Sequence, residues 1–208
     1  MFAPGAARYL GAAAAVLLVL ATLPVLGAVP LSLPWGLGLV AGFLVWGFFA
    51  VFFRDPERAA GEGIVSAADG RVRAVERDGD ALLISVFMNV TDVHVNRFPL
   101  DGRVVEVTGR GSGFRPAYRE EAAGNVQRLY RLSTAIGDVE LVQITGVLAR
   151  RLVSFVRVGS AGKKGDRFGM IVLGSRVDVI LPADRVAPLV KVGDRVLAGT
   201  SPIAKEVP

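Results

Sequence analysis

Cysteine is absent from this 208-residue chain, which excludes a disulfide framework and any thiolate metal site. Histidine occurs once, at His94, so no centre built on several histidine ligands can form. Aromatic residues are sparse at 8% and form no extended stripe interleaved with basic ones. The net charge of +5 therefore points to anionic lipid headgroups rather than nucleic acid. No repeat of solenoid length occurs. Charge itself is missing from one long stretch, Tyr9 to Phe53.

That uncharged stretch explains a hydrophobic content of 52%, high for a soluble protein. One membrane span needs about 20 apolar residues, so the run is long enough for two. The segment from Gly27 to Pro34 supplies a turn, and Trp35 and Trp46 suit interfacial positions. A second apolar segment directly after the first argues against a cleaved signal peptide. Arg8 precedes the spans, Arg54 and Arg58 follow them, and the turn carries no charge. By the positive-inside rule both ends lie in the cytoplasm. Residues 1–58 thus read as a membrane anchor with two transmembrane helices, and 59–208 as a cytoplasmic domain at the inner membrane.

The rest of the chain reads as mainly β, of α+β class, with lipoyl-like β elements. Ile64 to Val72 is strand, turn and strand about Asp69-Gly70, a strong turn pair. Ala81 to Val90 is apolar and rich in strand formers. It leads to Asp92-Val93-His94-Val95-Asn96-Arg97-Phe98-Pro99, in which Val93, Val95 and Phe98 suit packing. His94 then takes the opposite face of a strand. The glycine-rich Gly109 to Gly113 lacks the strand-loop-helix context of a phosphate loop and reads as a mobile loop near a substrate mouth. Pro116 to Gln127 is a short helix or a loop. Leu129 to Thr134 and Asp138 to Thr145 form a hairpin about Ile136-Gly137-Asp138. Val147 to Val158 reads as a strand, and the tail from Leu189 to Thr200 alternates about a Gly-Asp turn. Between these, Met170 to Leu173 and Val177 to Leu181 flank Gly174-Ser175, two strands meeting at a tight corner. Such a corner is either turn chemistry or a strained carbonyl beside a nucleophile.

Three segments together decide between these. Ser66-Ala67-Ala68-Asp69-Gly70, the His94 segment, and Phe168-Gly169 through Gly174-Ser175-Arg176-Val177-Asp178 occur in the order seen in the phosphatidylserine decarboxylases, and the chain resembles that family in its short membrane-anchored form. Two departures stand out. Many relatives have Gly-Ser-Thr where this chain has Gly-Ser-Arg. Longer relatives carry a second histidine where Arg97 stands.

The resemblance implies a self-cleaving proenzyme. Asp69 orients His94, His94 takes the Ser175 proton, and Ser175 attacks the Gly174 carbonyl. Elimination then leaves a β chain, 1–174, and an α chain, 175–208, that begins with a pyruvoyl group. This cofactor, with no metal and no pyridoxal phosphate, forms a Schiff base with the serine headgroup of phosphatidylserine in the bilayer. Carbon dioxide leaves and phosphatidylethanolamine is released, with His94 the proton donor. Arg97, Asn125 and Arg128 are the expected substrate-binding residues. A homodimer is expected. The rival reading is a membrane-anchored lipoyl-like adaptor without catalysis.

Overall fold

The computed structural model describes residues 1–30, 32–113, 115, 124–146, 151–172 and 175–207. The chain divides into two compact units, Met1–Pro56 and Glu57–Pro208. In the first, helix α1 (Ala6–Thr22) and helix α2 (Leu33–Phe52) lie side by side. Trp46, read from sequence as an interfacial anchor, donates its indole N–H to the Leu10 carbonyl at 2.9 Å. At 20 residues α2 is long and apolar enough to cross a membrane. α1, at 17 residues, is apolar but shorter.

The second unit is built on strands. An antiparallel sheet of eight has the order β13-β2-β3-β11-β7-β6-β5-β9. Its members are β2 (Gly70–Asp78), β3 (Ala81–Met88), β5 (Gly102–Arg110), β6 (Gln127–Thr134), β7 (Gly137–Thr145), β9 (Ala161–Gly162), β11 (Ser175–Pro182) and β13 (Arg195–Val196). A second sheet has β10 (Arg167–Val172) between β4 (Val95–Arg97) and β8 (Arg151–Ser154). A third has β14 (Pro202–Glu206) between β1 (Ile64–Val65) and β12 (Val186–Pro188). All the pairings in these sheets are antiparallel.

Alternation along these strands sends one face of the large sheet into the core. Val72, Ile84, Val86, Tyr130, Leu132, Val139, Leu141, Val177 and Val179 pack there with Phe98, Phe168 and Ile171 of the second sheet. The Phe168 ring meets Phe98 edge-on at 5.7 Å and Tyr130 at 5.1 Å. A smaller cluster, Leu129, Val142 and Ile144, occupies the opposite face.

Local chemistry explains where elements start and stop. The expected hairpin forms between β6 and β7, where Thr134 Oγ1 donates to the Gly137 carbonyl at 2.6 Å. Gly70 has φ +144°, and a Cβ there would lie 2.0 Å from the Phe87 carbonyl oxygen, so only glycine lets β2 begin against β3. The strand read over 147–158 is shorter. Residues 147–150 lie outside the described residues, and β8 ends at Ser154, whose hydroxyl bonds the backbone of Val156 at both its N–H and C=O. That local pairing competes with the ladder. The tail is mostly turn, with Asp194 Oδ2 accepting the Lys191 N–H, and only Arg195–Val196 is strand.

The chain changes sheets between Val172 and Ser175. β10 belongs to the second sheet, whereas β11 is the fourth strand of the large one, paired with β3 on one side and β7 on the other. β13 and β14, also beyond Ser175, pair with β2 and β1. A chain divided between residues 174 and 175 therefore keeps its strand pairings, which hold both pieces. The divided protein is expected to run as one species in gel filtration and to separate only in denaturant. Separation under native conditions would contradict this.

Candidate active site

Ser175 opens β11 with its backbone held on both sides, opposite Met88 of β3 and Thr145 of β7. Its side chain is fully buried, and Oγ makes no hydrogen bond among the described residues. A buried hydroxyl without a partner is uncommon, because leaving it unpaired costs about 1–3 kcal/mol. Gly174 lies outside the described residues.

His94 immediately precedes β4 and is likewise fully buried. Its carbonyl accepts the Ile171 N–H at 3.2 Å, which ties it to the strand running toward residue 174. Nδ1 lies 2.9 Å from the Asp92 carbonyl oxygen. A carbonyl can only accept, so Nδ1 carries a proton, and in the neutral tautomer that this bond selects Nε2 is the basic nitrogen. Asp92 is itself fixed. Its carboxylate accepts the Asn89 N–H at 2.8 Å and meets the Arg195 guanidinium at 3.2 Å, closing a short turn that aims its carbonyl at the imidazole. This role for Asp92 was not foreseen, although Asn89 three residues ahead of an aspartate is a turn signal.

Asp69 has a different set of bonds from the one expected. Its carboxylate receives the Arg58 guanidinium through two nitrogens, Nη2 at 2.8 Å from Oδ2, and the Ala198 N–H at 2.8 Å. The Nδ1 position where an orienting acid would act is taken by Asp92. Asp69 nonetheless shares the neighbourhood, since the Ala67 carbonyl two residues before it accepts the Arg97 N–H of β4.

A buried polar chain joins β4, which follows His94, to β3 and β7, the two strands that flank β11. Gln143 of β7, opposite Val177, donates Nε2–H to Asn96 Oδ1 at 2.7 Å. Tyr130 donates its hydroxyl to Gln143 Oε1 at 3.1 Å. Burial pushes the Tyr130 phenol above its ordinary pKa, which keeps it a neutral donor. Asn96 Nδ2 contacts Met88 Sδ at 3.6 Å, directly across from Ser175.

Of the expected substrate contacts, Arg97 and Asn125 are buried and bound to backbone. Arg97 donates to the Gly165 carbonyl at 2.9 Å. Asn125 donates to the carbonyls of Thr145 and Arg115 at 2.6 and 2.7 Å and accepts the Arg115 N–H. It braces Thr145, the residue opposite Ser175. Arg128 is half-buried, bonds the Leu152 carbonyl at 3.1 Å and opens onto a cleft. Arg176, the departure from Gly-Ser-Thr, lies on the strand face opposite Ser175. Its charge is met by Asp178 at 2.7 Å, and Asp178 also accepts the Ser85 hydroxyl at 2.6 Å.

Residues 45–204 match the sequence profile of the phosphatidylserine decarboxylases. The chain belongs to that family. A phosphatidylserine decarboxylase proenzyme of Streptomyces avermitilis is 41% identical over 171 residues, 81% of this chain and 76% of the relative. One of Thermobifida fusca is 42% identical over 159 residues, 76% and 73% of the two chains. A Methanococcoides burtonii relative, whose name has archaetidylserine in place of phosphatidylserine, is 41% identical over 180 residues, 85% and 83%. Each of these three relatives is named a proenzyme.

Gln143→Leu is expected to destabilise the uncleaved protein by about 2–4 kcal/mol, because it strands both Asn96 Oδ1 and the Tyr130 hydroxyl without partners. Denaturant unfolding in a Ser175→Ala background measures it. A change below about 0.5 kcal/mol would show that the chain of bonds carries no weight.

Proposed function

We propose that this chain is a pyruvoyl-dependent phosphatidylserine decarboxylase, a carboxy-lyase that cuts itself at Gly174–Ser175. The observation that carries the reading is the Ser175 hydroxyl, buried and without a hydrogen bond among the described residues, at the head of the central strand of a chain from this family. A nucleophile kept unpaired in a dry site is poised rather than satisfied.

In this reading His94 Nε2 takes the Ser175 Oγ proton, and Oγ bonds to the Gly174 carbonyl carbon. The C–N bond breaks as the nitrogen takes up the proton held by His94 and becomes a free amine, and an ester joins the two residues. Loss of the residue 175 Cα proton then breaks the Cβ–O bond, with the electron pair leaving on the Gly174 carboxylate. Water replaces the nitrogen of residue 175 as ammonia, and a pyruvoyl group remains. The residues fit such a group: the position is buried, held by strands on both sides, and faces no charged side chain of its own strand, since Arg176 and Asp178 project from the other face. When present, it supplies a carbonyl sink for the electron pair released as carbon dioxide leaves an amino acid. His94 holds the proton that replaces the carboxylate on the serine-derived carbon. Asp92 sets its tautomer through Nδ1. Asp69, tied to Arg58 and Ala198, holds the Ser66–Gly70 turn beside β4, and Arg128 is the headgroup contact.

The substrate is a serine phospholipid of the bilayer, and the product is the ethanolamine lipid. Residues 1–58 anchor the enzyme as a two-span hairpin in the inner membrane, with Arg8, Arg54 and Arg58 on the cytoplasmic side. The 1–174 and 175–208 chains stay associated, and the cleaved protein pairs as a homodimer. An adaptor on lipoyl-like elements would leave the unpaired Ser175 hydroxyl without a role.

Denaturing electrophoresis of purified protein should show two fragments, the smaller blocked to Edman degradation because a pyruvoyl terminus has no amine. Ser175→Ala and His94→Ala should both stay whole, and the wild type should release carbon dioxide from carboxyl-labelled phosphatidylserine. A wild type that decarboxylates while remaining uncut would sink the mechanism. For the anchor, a reporter fused after Pro208 should be active only in the cytoplasm. Periplasmic activity would overturn the orientation and leave the chemistry standing.

A further inference from the structure

The glycine-rich Gly109–Gly113 segment takes no part in the steps above, yet its place is specific. Gly111 has φ +79°, and a Cβ there would lie 1.9 Å from the Asn125 carbonyl oxygen. The segment is therefore pressed backbone to backbone against residues 124–126. Gly113 N–H bonds the Gly124 carbonyl at 2.9 Å, and Val126 N–H bonds the Gly113 carbonyl at 3.1 Å. This leaves an open cleft of about 370 Å³ with glycine at its lip. Among the described residues, three guanidinium groups line it, those of Arg110, Arg128 and Arg151, and no carboxylate does. Two are pre-aimed: Arg110 Nε donates to Gln127 Oε1 at 2.8 Å, and Arg128 Nη1 to the Leu152 carbonyl. Each keeps further donors for a ligand, because a guanidinium carries five.

The cleft also stands at a definite remove from Ser175. Val126 on its wall accepts the Thr145 N–H at 3.0 Å, and Thr145 pairs with Ser175. Two strand spacings separate wall and serine, roughly 10 Å. Arg151 lies opposite Val172, at the end of the strand leading to residue 174. In a serine phospholipid the amine-bearing carbon is three bonds, about 4 Å, from phosphorus, and an arginine side chain reaches roughly 6 Å from its Cα. Together these span the gap.

We propose that this cleft binds the phosphodiester of the lipid substrate, with Arg110 and Arg151 gripping its non-bridging oxygens alongside Arg128. The inference rests on the decarboxylase reading for its ligand. Paired arginine donors match a phosphate geometrically as lysine does not. Cations at this distance place the headgroup amine at residue 175 while the acyl chains stay outside.

The test uses the full-length Ser175→Ala protein in detergent, which stays uncut and makes no pyruvoyl group. Its dissociation constant for soluble glycerophosphoserine is measured by calorimetry. Arg151→Ala and Arg110→Ala are each expected to weaken binding ten- to hundredfold, the loss of a charged hydrogen-bond pair. In the Ser175 background both should raise KM for glycerophosphoserine by the same factor with little change in kcat. No binding by the Ser175→Ala protein, or equal binding by all three proteins, overturns the proposal. Unchanged glycerophosphoserine affinity with reduced sedimentation on phosphatidylglycerol vesicles would make the cleft a bilayer contact instead. The calorimetric result is independent of self-cleavage, so a wild type that failed to cut itself would refute the functional reading and not this one.

Discussion

The hydrogen bonds on both edges of β11 are what the rest of the second unit depends on. A strand at the rim of a sheet has one partner and some freedom to slip, whereas β11 is locked by β3 and β7 in matching registers over its first six residues. Slippage by one position would turn Val177 and Val179 out of the core and Arg176 and Asp178 into it. The hydrophobic pattern thus determines which face residue 175 presents. Ser175 is positioned as a by-product of core packing.

Positioning His94 needs a second device, because it adjoins a strand of a different sheet. Apolar contact between sheets is forgiving in direction, while hydrogen bonds are not. The Tyr130–Gln143–Asn96 chain spans the two sheets with directional bonds, in a core where each polar atom must find a partner. The close Gly169 backbone is part of the same fit, since a Cβ there would lie 2.8 Å from Gln143 Nε2. Asp92 then completes the arrangement from within the His94 segment itself, by accepting the imidazole N–H on its main-chain carbonyl.

Much of this was legible in the sequence where the signal is local. The Ile136-Gly137-Asp138 turn, the Asp69-Gly70 turn and the paired apolar runs about Gly174-Ser175 are all short-range patterns, and each marks an element that the structure contains. Val93, Val95 and Phe98 pack as their spacing suggests, all nearly inaccessible to solvent. What alternation could not show is which strands are neighbours, because period two is the same in every sheet. The exchange of sheets between β10 and β11 was therefore invisible. So were the ends of the polar bonds: Arg58 reaches Asp69 across 11 residues and Ala198 across 140. Arg97 and Asn125, expected as ligand contacts, both lie inside the fold, where each donates to backbone carbonyls. Charged and amide groups usually face water, so residue type does not announce that burial.

The central place of β11 has a consequence for the lifetime of the protein. Enzymes that borrow a dissociable cofactor can release a spent one and load another. A reactive group made from residue 175, as proposed above, would be covalently the first residue of a strand clamped between two neighbours, and replacing it would mean tearing the sheet apart. Under that proposal, chemical damage at that one position would retire the whole molecule. Its working lifetime in the cell would end with that single carbonyl, and only new synthesis would restore the activity.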